Sequence, residues 1–506
     1  MSDASTSKEA TARALAEALG GGLGGRSGSG VPLVRCLIAG QWVEPSGAKE
    51  VAVDNPATGE VLAELAYGDA ATVLGAADAA EAAFEQWSSR PARERGDLLR
   101  EVADLLDERR GAIGRVLAAD AGKRLAEAEG EVHFAAEFFR WFADAVRQPS
   151  GEVLRAEQPG RQLVTFTQAA GVAACLTPWN FPVSIPARKI APALAAGCTV
   201  VARASERAPL AAVALSQALV DAGIPDGVFN LVHGPAGEQT AALLGHRALR
   251  VVSFTGSTGV GQQVMRQAAQ RVVRPVLELG GDGAFVVFAD ADLDAAIAGL
   301  MIAKFRNNGQ SCIAANRVFV QRPVLDAFVE RLRGAVGAMT VGDPLGEKEV
   351  GLGPLITPGR VHEVAALVAE ACDGGGRLLA PDVDLPSKGY WHRPCFVVEP
   401  LPGCGLGTTE VFGPAAGVFG FDTEDEVLAR VNDTEMGLAG YVYTRDVGRA
   451  WRMAQRLEAG IVGVNDPVPP TVFGTLGGMK QSGIGREGGR LGLEEFEEQR
   501  YVAFGA

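Results

Sequence analysis

Histidine and paired cysteine are what this chain has least of. Among 506 residues there are five histidines (His133, His233, His246, His362 and His392), and none falls in an HxxxH or HExxH spacing. That pattern counts against a zinc centre, and no metal is expected. The seven cysteines (Cys36, Cys175, Cys198, Cys312, Cys372, Cys395 and Cys404) are scattered, with no CxxC pair. An odd, dispersed set fits a reducing compartment, the cytoplasm, better than a disulfide framework. Long apolar runs are missing too. The longest, Ile190 to Ala202, is about 13 residues and carries Pro192 and Gly197, short of the roughly 20 that span a bilayer. Asp3, Glu9 and Glu17, with no apolar core around them, count against a secretory or organellar leader. Positive charge is in deficit. With 47 basic against 61 acidic side chains the net charge is −14, which disfavours nucleic acid and anionic membranes as partners.

What is present is a chain long enough for two or three domains, with 47 % apolar residues to build their cores. Residues 1–32 read as a flexible appendage, because a short Ala-rich piece leads into GGGLGGRSGSG (20–30). Order is expected from about Val34. The stretches 69–87 and 92–121 repeat apolar residues at intervals of three and four, which is helical. After about residue 165 the texture changes to short apolar strands, 171–176, 199–203, 227–232 and 251–256, alternating with helical stretches such as 209–223. A second alternating series runs from 284–288 to about residue 465. Alternation of this kind implies an α/β fold with parallel sheets covered by helices.

Several loops carry candidate chemistry. VVSFTGSTGVG followed by QQVMRQAAQ (251–270) reads as strand, glycine turn and helix start. Gly256, Gly259 and Gly261 would let the backbone approach a pyrophosphate at a helix N-terminus; a plain tight turn is the alternative. Glu206, just beyond the strand 199–203, could accept hydrogen bonds from a ribose diol, or be a solvated helix-cap glutamate. FRNNGQSCIAANR (305–317) sets Cys312 among small and polar residues, good loop material and poor core material, which makes its thiol a candidate nucleophile. LELGGDG (277–283) places Glu278 at a strand end. TPWNFP (177–182) fixes Asn180 between two prolines as a possible hydrogen-bond donor, and EVFGP (410–414) puts Glu410 and Phe412 on a further loop.

Taken together and in this order, NPATGE (55–60), TPWNFP, SFTGSTGVG, LELGG, NNGQSC, EVFGP, NDTEMGLAG (432–440) and GGMKQSGIGREGG (477–489) make the chain resemble the aldehyde dehydrogenase superfamily from Val34 to Phe504. Within it the segments 130–147, 187–201, 304–312 and 443–465 are most similar to the succinate-semialdehyde dehydrogenase branch. The resemblance implies two Rossmann-type parallel-sheet domains and a small β flap. It divides the chain into a dinucleotide-binding domain (33–151 and 171–280), a catalytic domain (281–477) and an oligomerisation flap (152–170 and 490–506) that joins subunits into a homodimer or homotetramer. It also implies that Cys312 attacks the aldehyde carbon and that Asn180 and the Cys312 backbone N–H hold the oxyanion. Glu278 is the implied general base for the thiol or for the water that hydrolyses the thioester. NAD, with NADP as the alternative, would lie along Trp179, Arg203, Glu206, Gly256, Ser257, Gly261, Glu410 and Phe412. Arg188 and Arg306 match the arginines that hold the remote carboxylate of the substrate. A carboxylate at position 278 favours hydrolysis to the free acid over transfer to coenzyme A.

The chain departs from the family pattern at five places. Arg203-Ala204 stands where Lys-Pro is usual, and a guanidinium fork is not a point charge. Asp282 follows the Gly-Gly turn where Asn is usual. Ala314 replaces a second cysteine two residues after the nucleophile, so a disulfide switch of that type is absent. In 466–476 the usual serine falls at Pro470, and the usual Pro-Phe at Thr475-Leu476. The expected activity is therefore oxidation of a small anionic semialdehyde. The alternatives are an uncharged or aromatic aldehyde, a phosphonate aldehyde, or a non-catalytic binding protein on the same fold.

Overall fold

Runs of Val, Ala and Leu buried on both faces dictate the two large sheets, since a strand covered on both sides needs no polar alternation. The computed structural model describes residues 3–148, 150–346 and 348–505, with the side chains of residues 3–7 outside that description. One sheet has eight strands, in the order Gly483–Ile484, Arg274–Glu278, Leu249–Thr255, Val172–Leu176, Thr199–Arg203, Phe229–Val232, Cys36–Ile38 and Gln41–Val43. The five strands from Arg274 to Val232 pair in parallel, and the edges are antiparallel. The four strands expected between 171 and 256 are all present, within two residues of the expected ends.

Their order fixes where a ligand can sit. From Val172–Leu176 the chain moves outward one way to 199–203 and 229–232, then returns to the other side at 249–255 and 274–278. The crevice beyond the carboxyl ends of Val172–Leu176 and Leu249–Thr255 is a topological switch point, the usual ligand site of an open α/β sheet. The loop 177–182 and the turn 256–257 emerge there.

The second sheet has seven strands, ordered Arg377–Leu379, Cys395–Val398, Ala415–Phe421, Ala315–Gln321, Gly283–Val287, Ala439–Tyr443 and Ile461–Val464. All its pairings are parallel except the outermost, of Arg377–Leu379 with Cys395–Val398. A three-stranded antiparallel sheet joins Glu497–Phe504, Gln162–Ala169 and Glu152–Leu154. The helical stretch 92–121 is two helices, Ala92–Glu108 and Arg110–Ala121, divided at Arg109.

The N-terminal segment differs from expectation. Met1 and Ser2 lie outside the described residues, but Asp3–Leu19 is a helix and Leu23–Arg26 pairs with Pro32–Val34. The helix buries Ala14, Leu15, Ala18 and Leu19 against the helices Arg110–Ala121 and Leu210–Asp221. Of the glycines that read as a linker, Gly20, Gly21, Gly22 and Gly24 are packed instead, while Gly25 and Gly30 face open space. A Cβ on Gly21 would lie 2.5 Å from Trp42 Cδ1, and one on Gly22 would lie 2.4 Å from Val213 Cγ1. Composition cannot separate a glycine that is free from a glycine that is crowded.

Candidate active site

The loop bearing Cys312 is built by left-handed backbone. After the helix Leu293–Phe305, Asn307 (φ 53°), Asn308 (φ 58°) and Gly309 (φ 75°) turn the chain sharply. Asparagine tolerates this region better than most residues, and its amide can secure the turn. Asn308 Nδ2 donates to Gly122 O and Pro354 O, both at 2.9 Å, while its Oδ1 accepts from Gly353 N at 2.7 Å. Asn307 Nδ2 donates to Asn180 O (2.8 Å) and Gln310 O (3.0 Å), and Gln310 Oε1 accepts from Ile356 N (3.0 Å). This polar cluster is thus buried, against the expectation of exposed loop material. Each amide bonds at least one backbone group, although Asn307 Oδ1 and Gln310 Nε2 are buried without a partner.

Cys312 itself stays partly exposed on the wall of a cavity of about 220 Å³ at the switch point. Trp179, Asn180, Gly256, Ser257, Glu410 and Phe412 line the same cavity. Trp179 and Phe412 meet edge to face at 5.5 Å, and Phe412 adopts φ 47° to do so. Asn180 Nδ2 reaches Gln310 O at 3.2 Å, two residues before the thiol, and its Oδ1 has no partner. Burial pushes the Cys312 thiol up to about 12; the charges of Glu278 and Glu410 add to this, and Arg188 opposes it. Glu410 accepts from Gly281 N at 3.0 Å, and burial raises it to about 7.

Glu278 is placed behind this cavity, whose wall is formed by the next two residues, Leu279 and Gly280. Its Oε2 meets Arg188 Nη2 at 2.5 Å and its Oε1 is buried without a partner. Burial raises its pKa, Arg188 pulls it down, and Glu487 raises it again. Arg188 spans Glu278 and Glu487 with its guanidinium, its Nε at 2.6 Å from Glu487 Oε2. Arg306 lies with its guanidinium carbon 5.3 Å from the centre of the Phe181 ring. Among the described residues no carboxylate pairs with it.

A dinucleotide fits the groups beside Cys312. Thr255 Oγ1 is buried and unpartnered at the end of Leu249–Thr255, and Ser257 starts the helix Thr258–Ala269 with no side-chain cap, so the first N–H groups stay free for an anion. Gly261 is needed for packing, since a Cβ there would lie 2.3 Å from Leu279 Cδ2, while Gly259 faces open space. Arg203 and Glu206 stand outside the cavity at the end of the neighbouring strand, joined Nη2 to Oε2 at 2.8 Å. Arg203 also donates to Gly234 O at 2.9 Å. Burial raises Glu206, but its own backbone N–H and Arg203 outweigh that and hold it below the usual carboxylate range.

Two positioning features escaped the sequence reading, and a third, Asp282, was noted there without a partner. Buried Lys123 pairs with Glu131, donates to Asn180 O at 3.1 Å and sits 4.1 Å over the Phe181 ring. Glu131 in turn accepts from Val183 N (3.0 Å) and Ser184 N (3.1 Å), which caps the helix Ser184–Ala196 and stiffens the Asn180 loop. Glu487 binds Lys189 as well as Arg188, and Lys189 donates to Ser253 Oγ at 2.9 Å. Asp282, the unusual charge after the Gly-Gly turn, is buried against Arg317 Nε at 2.7 Å. The only advance signal was charge inside apolar helices for Glu131 and Lys189; Lys123, Asp282 and Glu487 lie in connecting segments.

A thiol, a side-chain amide and an uncapped helix N-terminus thus share one cavity at the switch point of a parallel sheet, the arrangement of an α/β enzyme. The sequence profile of the aldehyde dehydrogenase family matches residues 42–502. The glutarate-semialdehyde dehydrogenase of Pseudomonas aeruginosa is 41 % identical over 93 % of this chain and 97 % of its own length. The NADP-linked succinate-semialdehyde dehydrogenase GabD of Escherichia coli is 40 % identical over 93 % of this chain and 98 % of its own. A solved structure of an E. coli NADP-dependent enzyme superposes with a TM-score of 0.91 at 39 % identity, covering 93 % of this chain and 98 % of that one. The chain belongs to the aldehyde dehydrogenase family, whose members oxidise aldehydes with NAD(P).

Proposed function

We propose that the protein oxidises a small anionic aldehyde to the free carboxylic acid, with NAD preferred over NADP. The observation that carries this is Cys312 and the Asn180 amide on one cavity wall at the sheet's switch point. In this reading the Cys312 thiolate adds to the aldehyde carbon, and the Asn180 amide and the Cys312 N–H stabilise the oxyanion. Bound NAD(P) supplies the hydride acceptor. Trp179, Phe412 and Glu410 form the wall that orients it, and the free N–H groups beginning at Ser257 receive its phosphates. Glu278 takes the proton of the thiol or of the hydrolytic water, a transfer that a thiol held near 12 requires. The preference for NAD rests on Glu206, which would repel a 2′-phosphate while its pairing with Arg203 offsets the nearest positive charge.

Arg306 supports the anionic substrate, because a cation with no carboxylate partner among the described residues, held over an aromatic ring, is poised for a ligand's anion. The semialdehydes named for the similar enzymes of P. aeruginosa and E. coli are of this class. The exposed Val153, Phe166, Tyr501 and Phe504 of the three-stranded sheet support assembly into a homodimer or homotetramer, and seven free thiols suit the cytoplasm. The test is steady-state kinetics of Arg306→Met on succinic, glutaric, phosphonate and neutral aldehydes with each cofactor. The KM for anionic aldehydes should rise on the order of 10–100-fold, the value of one charge-assisted contact, with the neutral aldehydes little changed. An unchanged KM for succinic and glutaric semialdehydes overturns the substrate assignment.

A further inference from the structure

The turn that carries Cys312 is held from several directions. Asn180 Nδ2 and Asn307 Nδ2 both donate to Gln310 O before it, and Ala314 N closes it on Ser311 O at 3.0 Å. On one side it lies directly on glycine backbone: a Cβ on Gly281 would stand 2.2 Å from Cys312 O, and one on Gly283 would stand 2.5 Å from Ala314 O. On the other, Tyr441 Oη donates at 2.7 Å to Ile313 O, the first carbonyl after the thiol residue. Tyr441 comes from a separate strand. It lies on Ala439–Tyr443, which pairs with Gly283–Val287, and that strand pairs with Ala315–Gln321, into which the Cys312 turn leads. In register Tyr441 stands beside Phe285, so its phenol crosses the intervening strand to reach Ile313. The side chain is 1 % exposed and its ring lies 5.8 Å from that of Phe285. A Cβ on Gly463, its partner in the next strand, would lie 3.1 Å from Tyr441 Cδ1. Packing on both flanks fixes the hydroxyl in place.

We propose that Tyr441 is a positioning residue for the nucleophile: by holding Ile313 O, its hydroxyl fixes the turn in which the sulfur and the backbone N–H of Cys312 act on one substrate carbonyl. The inference rests on the proposed role of Cys312 as nucleophile. Addition to an aldehyde sets two conditions at once, a sulfur within bonding reach of the carbon and a donor aimed at the oxygen. Both groups sit on the same short turn, so a rotation of its peptides spoils both. Cys312 O is pressed on Gly281 and cannot absorb such a rotation, which leaves the hydrogen bond at Ile313 O to prevent it. The phenol is a donor throughout the working range of pH. Burial pushes it up, the charges of Cys312, Asp466 and Tyr443 add to this, and Arg306 opposes it.

The experiment compares Tyr441→Phe, which removes the hydroxyl and little else, with Tyr443→Phe. Tyr443 is two residues on along the same face, stacked on Phe285 at 4.8 Å with its hydroxyl end against Gly299. Rates are normalised to the fraction of chains that bind NADH, so a poorly folding preparation still decides the matter. In Tyr441→Phe kcat should fall about 10–100-fold, while KM for NAD and for succinic semialdehyde stays within about threefold. Tyr443→Phe should keep kcat within about twofold. Alkylation of Cys312 by iodoacetamide at about pH 9 needs the sulfur but no oxyanion donor, so its rate in Tyr441→Phe should stay within about threefold of the parent. A normalised kcat within about twofold of the parent overturns the inference, and so does a loss that Tyr443→Phe shares or that alkylation follows in equal measure. Cys312→Ser separates the two claims. If turnover survives in that variant, the nucleophile assignment falls; if it disappears there yet ignores Tyr441→Phe, only the present inference falls.

Discussion

At the residue scale, burial sets the chemistry of the site more than identity does. Cys312 is one of seven cysteines, and its surroundings push the thiol up to about 12, with the thiolate further disfavoured by Glu278 and Glu410. A free thiol of ordinary character would be largely ionised by about pH 9. Iodoacetamide should therefore modify Cys312 in the enzyme without cofactor slowly near neutrality, and its rate should climb about tenfold per pH unit from pH 7 to pH 10. A plateau between pH 8 and 9, followed by mass spectrometry of the Cys312 peptide, would contradict the structure. Asp282 makes the same point. In the sequence it is an unexplained negative charge; in the fold it faces Arg317 and Lys304, which pull down a carboxyl that burial lifts to about 6.

At the scale of elements, buried caps hold neighbouring helices in place. Asp120, near the end of the helix Arg110–Ala121, accepts from Leu210 N at 2.7 Å, at the start of the helix Leu210–Asp221. Burial raises Asp120 to about 8 from 3.8, against the two backbone N–H groups that face it. A carboxyl with a raised folded-state value contributes its full stability only below its unfolded value and loses it as pH climbs toward the folded one, because the unfolded chain sheds its proton first. Asp120→Asn keeps an acceptor for Leu210 N and removes the titration. Its melting temperature should match the parent near pH 4 and exceed it increasingly toward pH 8, at up to about 1.4 kcal/mol per unit of pH. A gap that does not grow with pH, read by calorimetry, would refute this.

For the whole molecule, the position of the cavity follows from strand order, and the proposed assembly rests on a small sheet with little core of its own. Glu152–Leu154, Gln162–Ala169 and Glu497–Phe504 leave Val153 at 83 %, Phe504 at 55 % and Phe166 at 38 % exposure on one face, since Val153 pairs with Val164 and Phe504 with Gln162. Such a sheet is only marginally stable alone, and an apolar face this open asks for a partner. Val153→Asp combined with Phe504→Asp should reduce the mass seen by light scattering to that of one chain. An unchanged oligomer, or a parent that is already monomeric, would show that the face is not the interface.

Much of this was legible in the amino-acid sequence, for a local reason. The strands around 172–176, 199–203 and 249–255, the glycine turn before the helix at Thr258, and the loops carrying Asn180, Cys312 and Glu410 are all written in short windows where apolar run length, glycine and proline decide the backbone. What the windows could not state is who meets whom across hundreds of residues. Only the tertiary structure turned Asn307 and Asn308 from loop material into buried clamps, packed Gly21 and Gly22 against Trp42 and Val213, paired Asp282 with Arg317, and gave Arg188 to Glu278 and Glu487 while leaving Arg306 without a carboxylate among the described residues. Those outcomes depend on the cost of burying a charge or an amide without a partner, and the partner is chosen by the fold, not by the neighbouring residues.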